Sequence, residues 1–87
     1  MTSQLNLNAL RVFVQVAESG SFTAAAQVLD LPTSNVSRYV AQLERQIGQR
    51  LLERSSRQLR LTSVGQGLFD TVQPWWGALK QAEQDLL

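Results

Sequence analysis

Four successive segments of the chain place apolar residues at the three- and four-residue intervals of an α-helix. The first helix is predicted to run from a cap at Asn6 to about Ser19, where Gly20 fits the left-handed position that ends a helix. Its apolar stripe consists of Leu7, Leu10, Phe13, Val14 and Ala17. A stripe of this kind is typical of a buried core, and we expect it to be core.

A short second helix is predicted over residues 22–29, with Ser21 as its cap. It is expected to end at Asp30-Leu31-Pro32, because proline lacks a backbone N–H and disfavours helix in the residue before it. A third helix follows at once, with Thr33 or Ser34 as its cap. Two helices joined by so short a turn form the helix-turn-helix pattern, which helical hairpins without a DNA partner share.

The third helix, which is predicted to end at Gly48, has two contrasting faces. The apolar face carries Val36, Val40, Leu43 and Ile47. The opposite face carries Ser34, Arg38, Ala41 and Arg45, with Asn35 and Gln42 on its flank. Hydroxyl, amide and guanidinium groups hydrogen-bond to DNA base edges and phosphates, so we interpret this segment as a recognition helix.

Between the third and fourth helices, Leu51-Leu52 and Leu59-Arg60-Leu61 are candidate strands around a polar turn near Ser55-Ser56. This wing would carry Arg54 and Arg57 at or near its tip, where they would suit the DNA backbone or the minor groove. Because leucine is not a strong strand former, the ribbon is expected to be brief. The alternative is a solvated basic loop.

The last helix is predicted to start at a cap on Thr62 or Ser63, and Ser63 with Gln66 matches a capping box. Its apolar residues follow coiled-coil spacing, so we expect it to pair with a second copy of the chain; the alternative is that it folds back over its own domain. Pro74 is expected to kink or interrupt the helix. The predicted dimerisation residues are Leu68, Val72, Trp75, Trp76, Leu79, Ala82 and Leu86, with Phe69 widening the stripe.

Composition argues against catalysis. The 87 residues allow one domain at most and include no cysteine and no histidine, so the chain lacks thiolate ligands and the commonest general base. Its seven carboxylates are scattered, and no catalytic or metal-binding constellation can be proposed. No apolar run approaches the ~20 residues of a membrane span, and the N-terminus does not read as a secretory signal. The cytoplasm is therefore the expected compartment.

Positive charge is concentrated in one third of the chain. Residues 33–62 contain six arginines and two glutamates, a net charge of +4, whereas two basic and five acidic residues elsewhere leave −3. Arginine favours bidentate contacts to phosphate and guanine, so this distribution favours a nucleic-acid partner. The alternatives are a solvated face of mixed charge and a protein-interaction module that presents Trp75, Trp76 and the leucine stripe to a protein.

The order of these elements resembles the N-terminal domain of LysR-type transcriptional regulators. The matching segments are LRVFVQVAESGSFTAAAQVL, VSRYVAQLERQIGQRLLERSSRQLRLT and the T-x-x-G of Thr62 and Gly65. The resemblance implies a mainly α fold: a winged helix-turn-helix over residues 1–61, with three helices and a short two-stranded wing, then a linker helix for dimerisation over 62–87. It implies binding of a promoter inverted repeat as a homodimer, tetramers in many intact proteins, and an effector-binding domain beyond Leu87.

The resemblance also implies a set of DNA-binding residues. The family's commonest turn reads S-Q-P where this chain has Pro32-Thr33-Ser34, whereas Ser37-Arg38 matches the family's S/T-R pair. No cofactor is expected in this fragment. The implied contacts are Thr33, Ser34, Asn35, Ser37, Arg38 and Gln42 on the recognition helix, Arg54 and Arg57 in the wing, and Thr23 at the start of the second helix.

Overall fold

The computed structural model describes residues 5–54 and 57–86, and within them the four predicted helices are confirmed. In chain order they are α1 (Leu7–Ser19), α2 (Phe22–Leu29), α3 (Thr33–Ile47) and α4 (Ser63–Leu86). No helix in these two ranges is both long enough and apolar enough to cross a membrane.

The caps of α1 and α2 are those that the sequence predicts. The Asn6 side-chain oxygen accepts hydrogen bonds from the backbone N–H groups of Asn8 and Ala9, at 2.8 and 3.3 Å. Gly20 ends α1 in the left-handed region, with φ of 75°, and the Ser21 hydroxyl accepts from the N–H of Ala24 at 2.9 Å. Each cap satisfies helix-end groups that would otherwise lack partners.

The turn between α2 and α3 corrects one prediction. Asp30 takes the left-handed conformation, with φ of 56°, and α3 then begins one residue early, with Pro32 rather than Thr33 or Ser34 in the N-cap position. The Pro32 carbonyl accepts from the N–H groups of Asn35 and Val36, at 3.0 and 3.2 Å. Because the proline carbonyl already starts the helix, the Thr33 and Ser34 hydroxyls lie in the first turn and are not used as caps.

Helix α1 is the central element, because it contacts each of the other three helices. Its residues Val12, Phe13 and Val16 are fully buried, and burial of one such side chain stabilises the fold by roughly 1.5–3 kcal/mol. The predicted stripe differs from the observed core along its length. Leu7 is 79% exposed, and Leu10 and Ala17 are only half-buried. Ala9, Val12 and Val16 are buried although the prediction omits them, because α1 is covered by three helices and not along one stripe. The rest of the core is formed by Val14, Ala25, Ala26, Val36, Val40, Leu43, Leu51 and Leu52.

The predicted two-stranded wing is not found in the described part of the chain. A single antiparallel bridge joins Leu52 to Leu61, beside a 2.9 Å hydrogen bond from the Glu53 N–H to the Arg60 carbonyl. A second hydrogen bond, from the Thr62 N–H to the Leu51 carbonyl at 3.0 Å, lies on the other side of the bridge. The N–H groups of Leu51 and Leu52 donate to the Glu44 carboxylate and not to a partner strand. The predicted turn at Ser55-Ser56 lies outside the described residues.

The start of α4 is built around Thr62. Its hydroxyl accepts from the N–H of Gly65 at 3.0 Å and donates to the carbonyl of Arg50 at 2.6 Å. The capping box predicted for Ser63 and Gln66 is wrong, because the Gln66 amide donates to the Asp70 carboxylate instead, at 2.9 Å. The helix runs on through Pro74 to Leu86, so this proline does not interrupt it.

Candidate nucleic-acid interface

The outward face of α3 carries the hydroxyl and guanidinium groups that the sequence singled out. Val36, Val40 and Leu43 on the inner face are at most 1% exposed, which fixes the rotation of the helix about its axis. The opposite face is therefore directed to solvent. Its exposed members are Thr33, Ser34, Ser37 and Arg38, and the flanking Asn35 and Gln42 are half-buried.

A shallow cleft of about 180 Å³ lies along the flank of this face. Asn35, Arg38 and Gln42 line it together with Tyr39, a residue that sequence reasoning did not include. Tyr39 is half-buried because its ring packs against the core. It is four residues after Asn35 and three before Gln42, and this spacing was the available signal that all three side chains share one face.

A wider groove, of about 610 Å³, separates the start of α2 from the loop before α4. Residues 20–23 line one side, and residues 52–53 and 57–59 line the other. The structure thus brings Thr23 and Arg57 to the same groove, and both side chains are exposed. A hydroxyl and a guanidinium at one groove are a combination that can bind a phosphate group.

Arg54, the other predicted wing residue, is held by a buried carboxylate. Its Nη2 donates to Oε1 of Glu44 on α3, and the two side chains form an ion pair. Oε2 of Glu44 accepts from the backbone N–H groups of Leu51 and Leu52, at 2.8 and 3.2 Å. Sequence reasoning missed Glu44, although its position four residues after Val40 placed it on the inner side of the helix.

The apolar stripe of α4 divides into two parts. Leu68, Val72 and Trp76 are half-buried and pack against the domain's own core, as does Phe69. The other residues of the stripe are open: Trp75 is 74%, Leu79 62% and Leu86 86% exposed, and Ala82 is exposed as well.

Polar contacts with α1 accompany the buried part of the stripe. Lys80 Nζ lies 3.6 Å from a Glu18 carboxylate oxygen and 5.8 Å from the centre of the Trp76 ring. The Gln73 amide donates to Glu18 at 3.4 Å. These contacts hold the middle of α4 beside α1, so Leu68, Val72 and Trp76 follow the alternative in which the helix folds back over its own domain.

No metal centre is found within residues 5–54 and 57–86, where no three side chains of the His, Cys, Asp or Glu type are grouped closely enough to hold an ion. The groups that these residues do bring together are hydroxyls, amides and guanidiniums. They bind anions and base edges by hydrogen bonding.

Comparison with known proteins places these features in one family. Residues 7–66 match the family described as bacterial regulatory helix-turn-helix protein, lysR family. The chain is 45% identical over 82 residues to the HTH-type transcriptional regulator CrgA of Neisseria meningitidis. The aligned segment covers 94% of this chain and 27% of CrgA. It is 44% identical over 84 residues to the HTH-type transcriptional regulator PtxR of Pseudomonas aeruginosa, covering 97% of this chain and 27% of PtxR.

Solved structures show the same similarity. The complex of the BenM DBD with catB site 1 DNA superposes with a TM-score of 0.80 at 34% identity, covering 91% of this chain and 85% of that one. The structure of CrgA from Neisseria meningitidis gives a TM-score of 0.71 at 44% identity, covering 93% of this chain and 28% of that one. The chain spans about a quarter of the length of the curated relatives it matches, and those relatives are named as transcriptional regulators.

Proposed function

We propose, from the premise that this chain belongs to the lysR family of bacterial regulatory helix-turn-helix proteins, that it binds a promoter inverted repeat as a homodimer. In this proposal residues 1–61 are the DNA-binding unit, and residues 62–87 are the linker helix through which two copies pair. Helix α3 enters the major groove, and the basic segment between α3 and α4 follows the backbone or the minor groove.

The observation that carries the proposal is the division of α3 into two faces. Its inner residues are buried, while Thr33, Ser34, Ser37 and Arg38 are exposed near its start. In helix-turn-helix proteins the N-terminal residues of the recognition helix contact base edges. We assign discrimination between sequences to Ser34, Asn35 and Arg38, since each good bidentate base contact is worth roughly 1–3 kcal/mol.

Affinity that does not depend on sequence is assigned to the loop and to α2. Arg54, Arg57 and Thr23 are the groups proposed to contact phosphates, because they belong to the segments that flank α3. Phosphate contacts by arginine release counterions, so binding should weaken steeply as the salt concentration rises.

Pairing of two chains is assigned to the open part of the α4 stripe. Exposed apolar stripes of this kind mark protein interfaces, and Trp75, Leu79, Ala82 and Leu86 continue at coiled-coil spacing. A symmetric pair would set two α3 helices one or more helical turns apart on one side of the duplex, at ~34 Å per turn. Assembly into tetramers, an effector-binding domain and a cytoplasmic location are proposed for the intact protein on the strength of the family alone.

The test is selection of binding sites from a random duplex library with the 87-residue chain, followed by titration of the selected duplex at several salt concentrations. We expect recovery of a two-part, roughly palindromic site and an affinity that falls linearly on logarithmic axes as salt rises. A random duplex of the same length is the control and should bind more weakly at every salt concentration. Recovery of no sequence preference would contradict the proposal, and the absence of salt-sensitive duplex binding would favour a protein-interaction module.

A further inference from the structure

We infer that Glu44 is a positioning residue for Arg54, whose guanidinium it holds in one orientation at the base of the loop before α4. The inference rests on the proposed function, because the held guanidinium is one of the groups assigned to DNA. In this inference Glu44 does not contact DNA itself, but it orients Arg54, which does.

Among the residues that the structure describes, the side-chain hydrogen bonds of Glu44 come from one short segment. Its side chain is 8% exposed, and a buried carboxylate is stable only when its oxygens have partners. One oxygen accepts from the N–H groups of Leu51 and Leu52, and the other accepts from Arg54 Nη2. Glu44 therefore ties α3 to both the backbone and the arginine of the loop, within four residues.

Arg54 keeps a free side while it is held. Its side chain is 45% exposed, and a guanidinium has five N–H donors in a fixed fork. A guanidinium paired with a carboxylate on one edge can therefore still donate to a phosphate or a base edge from another. Arg57 provides the contrast, because it forms no ion pair within residues 5–54 and 57–86.

Two effects of Glu44 on DNA binding oppose each other. Holding the arginine removes its rotamer freedom before DNA arrives, so less ordering remains to be done on binding. The negative charge of the carboxylate, however, lowers the positive potential of the loop. We expect the first effect to be the larger, so that Glu44→Gln weakens DNA binding. If the second effect were the larger, Glu44→Gln would strengthen DNA binding.

The experiment uses titration of the 87-residue chain with the duplex selected by the wild type and with a random duplex of equal length. Glu44→Gln keeps an oxygen for the two backbone N–H groups and removes the charge that holds Arg54. We expect it to weaken binding of the selected and the random duplex alike, by about 3- to 10-fold, the range expected for ordering one long side chain that contacts phosphate. Arg54→Ala should weaken binding at least as much. The double variant, Glu44→Gln with Arg54→Ala, should bind DNA no more weakly than Arg54→Ala alone.

The matched control is Asp70→Asn, which makes the same charge change at an exposed carboxylate on α4, outside the proposed DNA contacts and outside the apolar stripe. It should leave binding of both duplexes unchanged or raise it equally. A second variant, Arg54→Lys, keeps the charge without the planar fork and should lose most of what Arg54→Ala loses, whether or not Glu44→Gln folds. The inference is overturned if folded Glu44→Gln binds like Asp70→Asn, if the two single losses multiply in the double variant, or if Arg54→Lys binds like the wild type.

A measurement without DNA separates this inference from the proposed function. Nitrogen relaxation of the Arg54 Nε–H group should show an ordered side chain in the wild type and a mobile one in Glu44→Gln. A mobile Arg54 in the wild type refutes the inference even if the chain binds DNA. If Arg54 is ordered in the wild type and mobile in Glu44→Gln, but the wild-type chain binds no duplex, then Glu44 does orient Arg54 and the proposed function is refuted.

Discussion

Replacement of Gly65 by alanine should destabilise the domain, although alanine is the better helix former. Gly65 is buried in the first turn of α4, where the helix meets the segment that follows α3. A β-carbon at this position would lie 2.1 Å from the carbonyl oxygen of Leu51 and 3.0 Å from its carbonyl carbon. Both atoms belong to the backbone, so no side-chain rotation can relieve the overlap, and α4 or the segment must move.

The change in the free energy of unfolding follows from two destabilising contributions and one stabilising contribution. Overpacking in a well-packed region costs typically ~1–3 kcal/mol, and an overlap with a backbone atom lies at the upper end. The displaced Leu51 carbonyl also accepts from the Thr62 N–H at 3.0 Å, and loss of that hydrogen bond adds about 1 kcal/mol. Helix propensity returns about 1 kcal/mol, so the free energy of unfolding should fall by about 3 kcal/mol.

The measurement is thermal unfolding of the variant beside two controls from the same helix. For a domain of this size 1 kcal/mol shifts Tm by roughly 4–8 °C, so Gly65→Ala should lower Tm by more than 10 °C. Gly67→Ala and Gly77→Ala place a β-carbon where nothing lies within 4 Å, and each should raise Tm by up to roughly 4–8 °C, the shift for about 1 kcal/mol of helix propensity. If Gly65→Ala melted at or above the Tm of Gly67→Ala, the close approach of α4 to Leu51 would be refuted.

Three further predictions concern the proposed functional surfaces. Arg57→Ala should weaken binding of the selected and random duplexes about equally, because its contact is proposed to be with phosphate. It should also reduce by about one the slope of the logarithm of the binding constant against the logarithm of the salt concentration. A loss confined to the selected duplex would contradict this assignment. Arg38→Ala and Asn35→Ala should each cost about tenfold or more on the selected duplex and much less on random DNA, and equal losses on both duplexes would refute their assignment to base contacts. Leu79→Asp should convert the chain to a monomer in sedimentation, since pairing would bury an unpaired carboxylate. The control Val28→Asp, at a similarly exposed position on α2, should remain a dimer. If Leu79→Asp also sedimented as a dimer, the chains would pair through another surface.

Most of the helical framework could be predicted from the sequence because its signals are local. The bounds of α2 and the caps at Asn6 and Ser21 were predicted correctly, since a cap depends on side-chain and backbone groups within three residues of each other. The predicted DNA-binding residues of α3 could be assigned to its outer face for the same reason, because helical periodicity alone separates them from Val36 and Val40. Family membership also followed from the sequence, through motifs that span the chain.

Tertiary contacts decided the remaining features. The pairing of Glu44 with Arg54 joins residues ten apart across the end of α3, and Gly65 matters only because Leu51 approaches it. Coiled-coil spacing could not show that Leu68, Val72 and Trp76 pack on their own core while Leu79 remains exposed, because an apolar stripe is the same whichever partner covers it. The short bridge in place of a wing also depends on a distant contact, because the N–H groups of Leu51 and Leu52 donate to the Glu44 carboxylate on α3 and not to a partner strand. Local chemistry thus determined where the helices begin and end, and packing between distant segments determined which of their faces remain available for binding.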